Sequence, residues 1–368
     1  MEMKKVSHIS QAFWQGKTVL VTGHTGFKGG WLALWLHTLG ANVVGYALEP
    51  PTVPSFFAST NLANIIKSVT GDIRDYDSLV RVMKEQKPEV VFHLAAQPLV
   101  RASYNTPLET FSSNIQGTAN VLEAIRQISS VRAAVMITTD KVYENREWVW
   151  SYRENDTLGG HDPYSASKAA SELVVASYQR SFFSHQGTTS LASVRAGNVI
   201  GGGDWAADRI IPDIIRSIQD SKSLRLRYPN AVRPWQYVLE PLSGYLLLAE
   251  RLYADDGKAF AEAWNFGPKD ENPPTVGELV AMINTFWQGN LLDVEYEQAP
   301  QPHETTFLRL DCSKAHRRLH WWAKLFTQDA IELTVEWYKT FVDARGKAVD
   351  MRPLSERQIQ EYQRLQTT

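Results

Sequence analysis

Val19-Leu20-Val21-Thr22-Gly23-His24-Thr25-Gly26-Phe27-Lys28-Gly29-Gly30 decides the fold. A short apolar run reads as a buried strand, and three glycines follow at G-x-x-G-x-x-G spacing. Apolar residues then recur at helical spacing at Trp31, Leu34, Trp35 and Leu39. A turn this tight needs residues without a Cβ, both for positive φ and to let the backbone approach a pyrophosphate. The helix that follows presents free N–H groups to the anion. Between a first strand and a first helix, the motif points to a dinucleotide held by Gly23, His24, Gly26, Phe27 and Gly29.

Working outward, β-like runs recur at 41–48, 66–70, 89–95, 132–138 and 190–195, with helical patterns at 77–85, 110–128 and 164–183. Strands alternating with helices of this length predict βαβ units and an α/β, doubly wound parallel sheet of Rossmann type. The pattern loosens after about residue 200. Helices are expected at 210–218, at 276–286 behind the capping-box spacing Thr275-x-x-Glu278, and at 329–342. The expected division is a dinucleotide-binding domain over 1–190, with a return segment near 230–265. A smaller, interwoven substrate domain would occupy 191–368.

The chain has 368 residues, 43% apolar and 21% charged, long enough to bury a core without disulfide or metal staples. Its 38 Lys+Arg against 40 Asp+Glu give no electrostatic reason to expect nucleic acid or an anionic membrane as partner. Cys312 is the only cysteine, which excludes an intrachain disulfide and any multi-cysteine metal site. No apolar run approaches the roughly 20 residues of a membrane span. Lys4 and Lys5 precede no apolar run, so no signal peptide is expected and the cytoplasm is the expected compartment.

At the end of the second strand an acidic residue normally holds the adenosine ribose. Ala47 falls there, and Glu49, two residues on, reads equally as a ribose contact or a solvated loop charge. Residues 43–60 contain no Arg or Lys to welcome a 2′-phosphate, which favours NAD over NADP. Tyr164-x-x-x-Lys168 places a phenol and an ammonium on one helix face, where the cation would lower the tyrosine pKa and make it a usable base. The bare pair is common. Its position, about 25 residues beyond Thr138-Thr139, gives it weight, and Thr139 could share a substrate hydroxyl with Tyr164.

Taken in order, Gly23-x-x-Gly26-x-x-Gly29, Asp72-Ile73, His93-Leu94-Ala95-Ala96, Asn114-x-x-Gly117-Thr118, Thr139 and Tyr164-x-x-x-Lys168 resemble the extended short-chain dehydrogenase/reductases acting on nucleotide sugars. The resemblance implies that Asp72 and Ile73 contact the adenine, that Ala95 and Ala96 line the cofactor cleft, and that Lys168 also binds the nicotinamide ribose. Thr139-Asp140-Lys141 narrows it, because 4,6-dehydratases place an acid and a base directly after this threonine, usually as Thr-Asp-Glu. Lys141, with Gly23–Gly29, Arg195–Trp205 and Arg233-Pro234-Trp235-Gln236, is similar to the CDP-glucose 4,6-dehydratases. That implies CDP-glucose as substrate on a route to O-antigen deoxy sugars, and Tyr164 as the base at the 4-hydroxyl. Lys141 would be the base at C5, Asp140 the acid at C6, and Asn198 and Arg233 would bind the diphosphate with Asn265 nearby. Relatives of this fold pair through the helices at 110–128 and 164–183, which implies a homodimer or a dimer of dimers. Leu173, Val174 and Ser177 suit such a face, though an intramolecular core would look similar.

A 4-epimerase of the same fold would need Tyr164 and Lys168 but no acid–base pair after Thr139. A catalytically dead NAD sensor should have lost Tyr164 or Lys168, and both are present. Trp148, Trp150 and Trp205 are candidates for a wall beside the sugar, while Trp31 and Trp35 read as core. His93 and His303 lack metal-ligand spacing, Cys312 lacks a catalytic companion, and no metal is expected. The run Gly201–Gly203 reads as a flexible turn or a phosphate cradle.

Overall fold

The computed structural model describes residues 8–184, 188–270, 272–288, 293–296, 308–344 and 349–367; His303 lies outside them. Its strands are β1 (Thr18–Thr22), β2 (Asn42–Ala47), β3 (Lys67–Thr70), β4 (Val90–His93), β5 (Ala133–Ile137), β6 (Ser190–Ala196), β7 (Val199–Ile200), β8 (Leu224–Leu226), β9 (Gln236–Tyr237), β10 (Ala263–Phe266) and β11 (Val294–Tyr296). Seven of them form one sheet in the order β10-β6-β5-β4-β1-β2-β3, and every pairing is parallel. Two short parallel pairs, β7 with β9 and β8 with β11, lie outside it.

The sheet strands read as unbroken apolar runs because both faces are covered. Val19, Val21, Phe92 and Val135 enter one core, which holds most of the buried tryptophans. Leu20, Val91, Ala134 and Met136 enter a second core on the opposite face. Trp31 and Trp35 belong to the first core and are fully buried, as their helical spacing suggests. Trp31 stacks on Phe56 with ring centroids 4.7 Å apart, and its indole N–H donates to the Gly202 carbonyl at 2.9 Å. The strand order reverses at β1, so the crevice between the carboxyl ends of β1 and β4 is where a parallel sheet binds its ligand.

The boundary expected at residue 190 falls on the first residue of β6, which lies inside the sheet. Sheet residues therefore run on to Ala196 and return at β10, after the helix Leu239–Tyr253. That helix is buried almost all round, from Leu239 to Ala249 without a break. Only a return segment near 230–265 was expected here, not a helix within it. The expected helix at 110–128 is continuous but built in three parts: Pro107–Phe111, a π turn at Ser112–Gln116, and Gly117–Gln127. The helix expected at 164–183 is Pro163–Tyr178 followed by a second π turn, Gln179–Phe183. A last helix, Arg352–Thr367, lies beyond the expected terminal one and docks Tyr362 edge-on to Trp35. No helix among the described residues is long and apolar enough to cross a membrane.

Candidate active site

A cavity of about 880 Å³ opens at the carboxyl ends of β1 and β4 and runs toward the second half of the chain. Its floor is the glycine turn. Gly23 has φ +79°, and a Cβ there would stand 2.7 Å from the Ala95 nitrogen; a Cβ on Gly29 would stand 2.1 Å from the Gly23 carbonyl oxygen. Only bare backbone fits this cradle, and Gly26 caps the helix Phe27–Thr38 without a side-chain bond. The first N–H groups of that helix have no intrahelical acceptor, and Phe27, Lys28 and Gly29 all line the cavity. The turn therefore fits a dinucleotide pyrophosphate.

Asp72, Ile73, Ala95 and Ala96 line the same wall. Hydrogen bonds from Arg74 hold the Asp72 carboxyl below the ordinary carboxylate range, the closest at 2.6 Å. Glu49 stands on the rim at the end of β2, where it accepts from the Thr70 hydroxyl at 3.0 Å. His24 does not face the cavity. Its ring lies behind the turn against Gly45, bonded to Ser68 Oγ at 2.7 Å, and burial pushes its pKa down to about 4. Of the turn residues expected to hold the dinucleotide, His24 is the one whose side chain turns away and props β2 against the turn.

Thr139, Asp140, Lys141, Tyr164 and Lys168 come together on the cavity wall. Tyr164 sits in the first turn of the helix Pro163–Tyr178, which Asp162 caps by accepting from the Ser165 N–H at 2.9 Å. Its side chain is hydrogen-bonded to Thr139, whose hydroxyl donates to Asp140 Oδ1 at 3.0 Å. Asp140 is buried, and Lys141 Nζ lies 3.6 Å from its carboxylate with a side chain 32% exposed. Burial, and then Asp140, push the Tyr164 hydroxyl up to about 12, against the Thr139 bond and the charge of Arg209. The i, i+4 spacing predicts that Lys168 lowers this pKa. Lys168 instead donates to the Ile137 carbonyl at 3.1 Å, and its own pKa is pushed down to about 7 by burial and by Lys28.

Lys28 and Arg209 are site residues that the sequence reading passed over. Lys28 lines the cavity, its pKa pushed down to about 8 by burial and by Arg209, with Asp140 opposing. Arg209 donates to Asp204 Oδ2 at 2.7 Å. The signals were there: a lysine between two glycines of an anion-binding turn, and an arginine directly before an amphipathic helix.

Asn198 and Arg233 both reach the cavity, and Asn265 does not. Asn265 is fully buried; it accepts from the Tyr143 hydroxyl at 2.8 Å and donates to the carbonyls of Tyr152 and Asp311. With its amide fully engaged it has nothing to offer a substrate, which corrects that expectation. Trp205 lines the cavity, whereas Trp148 stacks on Tyr152 and Trp150 is 69% exposed away from it. His93 is bonded to Thr22 and Thr118, and burial pushes the Cys312 thiol up to about 12. Gly202 packs on Trp337 and Gly203 on Phe56, so this run is a packed turn. Among the described residues no cluster of His, Cys, Asp and Glu could hold a metal ion.

Behind the wall, Glu172 and Arg195 form a buried pair 2.8 Å apart. Glu172 also accepts from Thr138 and Ser193, and Arg195 donates to the Tyr143 hydroxyl at 2.8 Å. These bonds tie the helix of Tyr164 to both ends of the Thr139–Lys141 turn.

Residues 20–334 match the family model described as GDP-mannose 4,6 dehydratase. The chain is 51% identical over 361 residues to the CDP-glucose 4,6-dehydratase of Salmonella typhimurium, covering 96% of this chain and 98% of that one. Among solved structures, it resembles the dTDP-glucose 4,6-dehydratase DesIV of Streptomyces venezuelae with NAD and TYD bound, at TM-score 0.75 and 25% identity, over 88% of this chain and 97% of that one. The UDP-glucose 4-epimerase of Thermotoga maritima, at TM-score 0.75 and 23% identity, covers 88% and 99%. Dehydratase and epimerase share this fold, so the fold alone does not choose between them.

Proposed function

The chain belongs to the GDP-mannose 4,6 dehydratase family, and on that premise we propose that it converts CDP-D-glucose to CDP-4-dehydro-6-deoxy-D-glucose with NAD. Bound NAD, held by the glycine turn, would supply the hydride acceptor for C4 and the donor of the same hydride to C6. What carries the reading is the Asp140–Lys141 pair beside Tyr164, because dehydration needs an acid and a base that epimerisation does not.

Tyr164 takes the proton of the 4-hydroxyl, the charge of Arg209 working against the burial that favours the neutral phenol. The 4-ketone acidifies the C5 hydrogen, which Lys141 removes while Asp140 protonates the leaving 6-hydroxyl. Those roles need a neutral amine and a neutral carboxyl. Moving one proton from Lys141 to Asp140 across their 3.6 Å contact produces both with no change in net charge. Asn198 and Arg233 hold the diphosphate. The sheet with its return strand β10 serves as the cofactor half, and the remaining segments after Ala196 as the substrate half.

This reading makes the protein a cytoplasmic homodimer, or a dimer of dimers, supplying deoxy sugars for O-antigen. The single free, buried Cys312 suits a reducing compartment. The test is mass spectrometry of products from CDP-, dTDP-, UDP- and GDP-glucose with NAD. Loss of one water from CDP-glucose is expected; a product of unchanged mass with galacto configuration would establish the epimerase instead.

A further inference from the structure

The cavity has a further stretch of lining for which the reaction has no use. Its course can be followed from Asp140, because a Cβ on Gly197 would lie 3.0 Å from Asp140 Oδ2 and 3.2 Å from Pro234. Arg233 precedes that proline. A turn closed by the Ala231 N–H donating to the Tyr228 carbonyl at 3.1 Å leads back from it to Arg227. Arg227 and Asp208 both line the cavity there, 3.5 Å apart. Asp208 also lies 3.5 Å from Arg101, which comes from the helix Val100–Asn105 after β4 and lines the same cavity. With φ +61°, Asp208 occupies the left-handed region that aspartate tolerates better than most residues. Its side chain is 45% exposed, and that of Arg227 is 22% exposed.

We infer that Asp208 and Arg227 read the cytosine ring of the substrate and set its selectivity, a step that rests on the CDP-glucose reading above. Cytosine presents an amino donor at N4 beside two acceptors, N3 and O2. A carboxylate beside a guanidinium presents an acceptor beside two donors, the order that guanine offers to cytosine in a base pair. Uracil and thymine invert the first two positions. Their O4 would face the carboxylate and their N3–H the guanidinium, leaving like against like. At 3.5 Å the pair is too long for a tight fork, so each partner retains capacity for the base edge. A matched edge of this kind discriminates roughly 10- to 100-fold. The neighbouring acid, Asp213, is already bonded to Arg216 within its own helix and is the control.

The experiment compares wild type, Asp208→Asn and Asp213→Asn in two ways: calorimetric binding of CDP against UDP, and kcat/KM for CDP-glucose against UDP-glucose. Asn keeps the size of Asp208 but offers O4 a donor. Its ratio of CDP to UDP binding is expected to fall roughly 10- to 100-fold, with the loss on CDP-glucose appearing in KM. A ratio unchanged in Asp208→Asn overturns the inference, whether both nucleotides weaken together, as loss of the tie to Arg101 would cause, or neither does. A ratio that moves only in Asp213→Asn overturns it too. Should Asp208→Asn not fold, Arg227→Gln carries the same comparison from the other half of the pair. Binding is read without turnover. A wild type that prefers CDP but dehydrates no CDP-glucose would therefore defeat the proposed reaction and leave this inference standing.

Discussion

The least symmetrical feature of the site is Lys141, a residue that must lose its proton to act yet lies against a carboxylate. If it is the C5 base, Lys141→Met leaves Tyr164, Thr139 and the glycine turn intact. Oxidation at C4 should therefore proceed and elimination should stall. The expected result is a loss of about 10²–10⁴ in turnover with NADH absorbance that builds up and persists in a single turnover. Loss of turnover with no NADH would assign Lys141 to substrate binding or to the hydride step, and wild-type turnover would remove it from the mechanism. Thr139, Asp140, Lys141, Tyr164, Lys168, Asn198 and Arg233 could all be read from motif order, and all reach one cavity. His24 and Asn265 could not, because a motif gives a residue's place along the chain but not the side of the strand on which its ring or amide falls. Lys28 and Arg209 carried sequence signals, but what gives them weight is burial beside other charges, which spacing does not measure.

At the scale of elements, the helix Leu239–Tyr253 fastens both ends of the chain to the sheet. Glu240 accepts from the backbone of Lys324 and Leu325 and from Tyr362, and Glu250 accepts from the Ser10 N–H at 2.9 Å and the Trp14 indole at 2.8 Å. Burial pushes the Glu250 pKa up from 4.5 to about 7. A carboxyl raised on folding contributes stability that is full below about 4.5 and is lost as pH rises through about 7. Glu250→Gln keeps the accepting oxygen and cannot ionise. Thermal midpoints of variant and wild type should therefore nearly coincide below about pH 4.5, diverge as pH rises to about 7 and stay apart above it, the variant becoming more stable by about 1–3 kcal/mol. Parallel curves across the range would refute the assignment. The first-half strands were legible because both-face burial leaves unbroken apolar runs, and the amphipathic helices because one face stays wet. This helix was not: Phe27–Thr38 is buried in a continuous run too but is announced by a glycine turn, whereas Leu239–Tyr253 begins with no turn signal and no side-chain cap.

For the whole molecule the open matter is assembly, and exposure separates two readings that the sequence could not. Had Leu173 and Ser177 been part of an intramolecular core, they would be covered; both are exposed, Leu173 by 63%, one helical turn apart on the outer face of Pro163–Tyr178. Val174 divides its loyalty, packing half-buried against the second core. The same helix carries Tyr164 in its first turn, so a partner covering its outer face would also steady the wall that holds Tyr164. A second copy of the chain presenting the same helices would cover it with twofold symmetry. Light scattering at micromolar concentration should then return twice the chain mass for wild type. Leu173→Glu would place a charge in the desolvated centre of that interface and should return the chain mass, with folding retained because the residue is exposed in the subunit. Turnover in that variant should fall with the loss of dimer and recover at high protein concentration, a dependence that a local defect at Leu173 would not show. A monomeric wild type, or a Leu173→Glu protein that stays dimeric, would move the interface away from these helices.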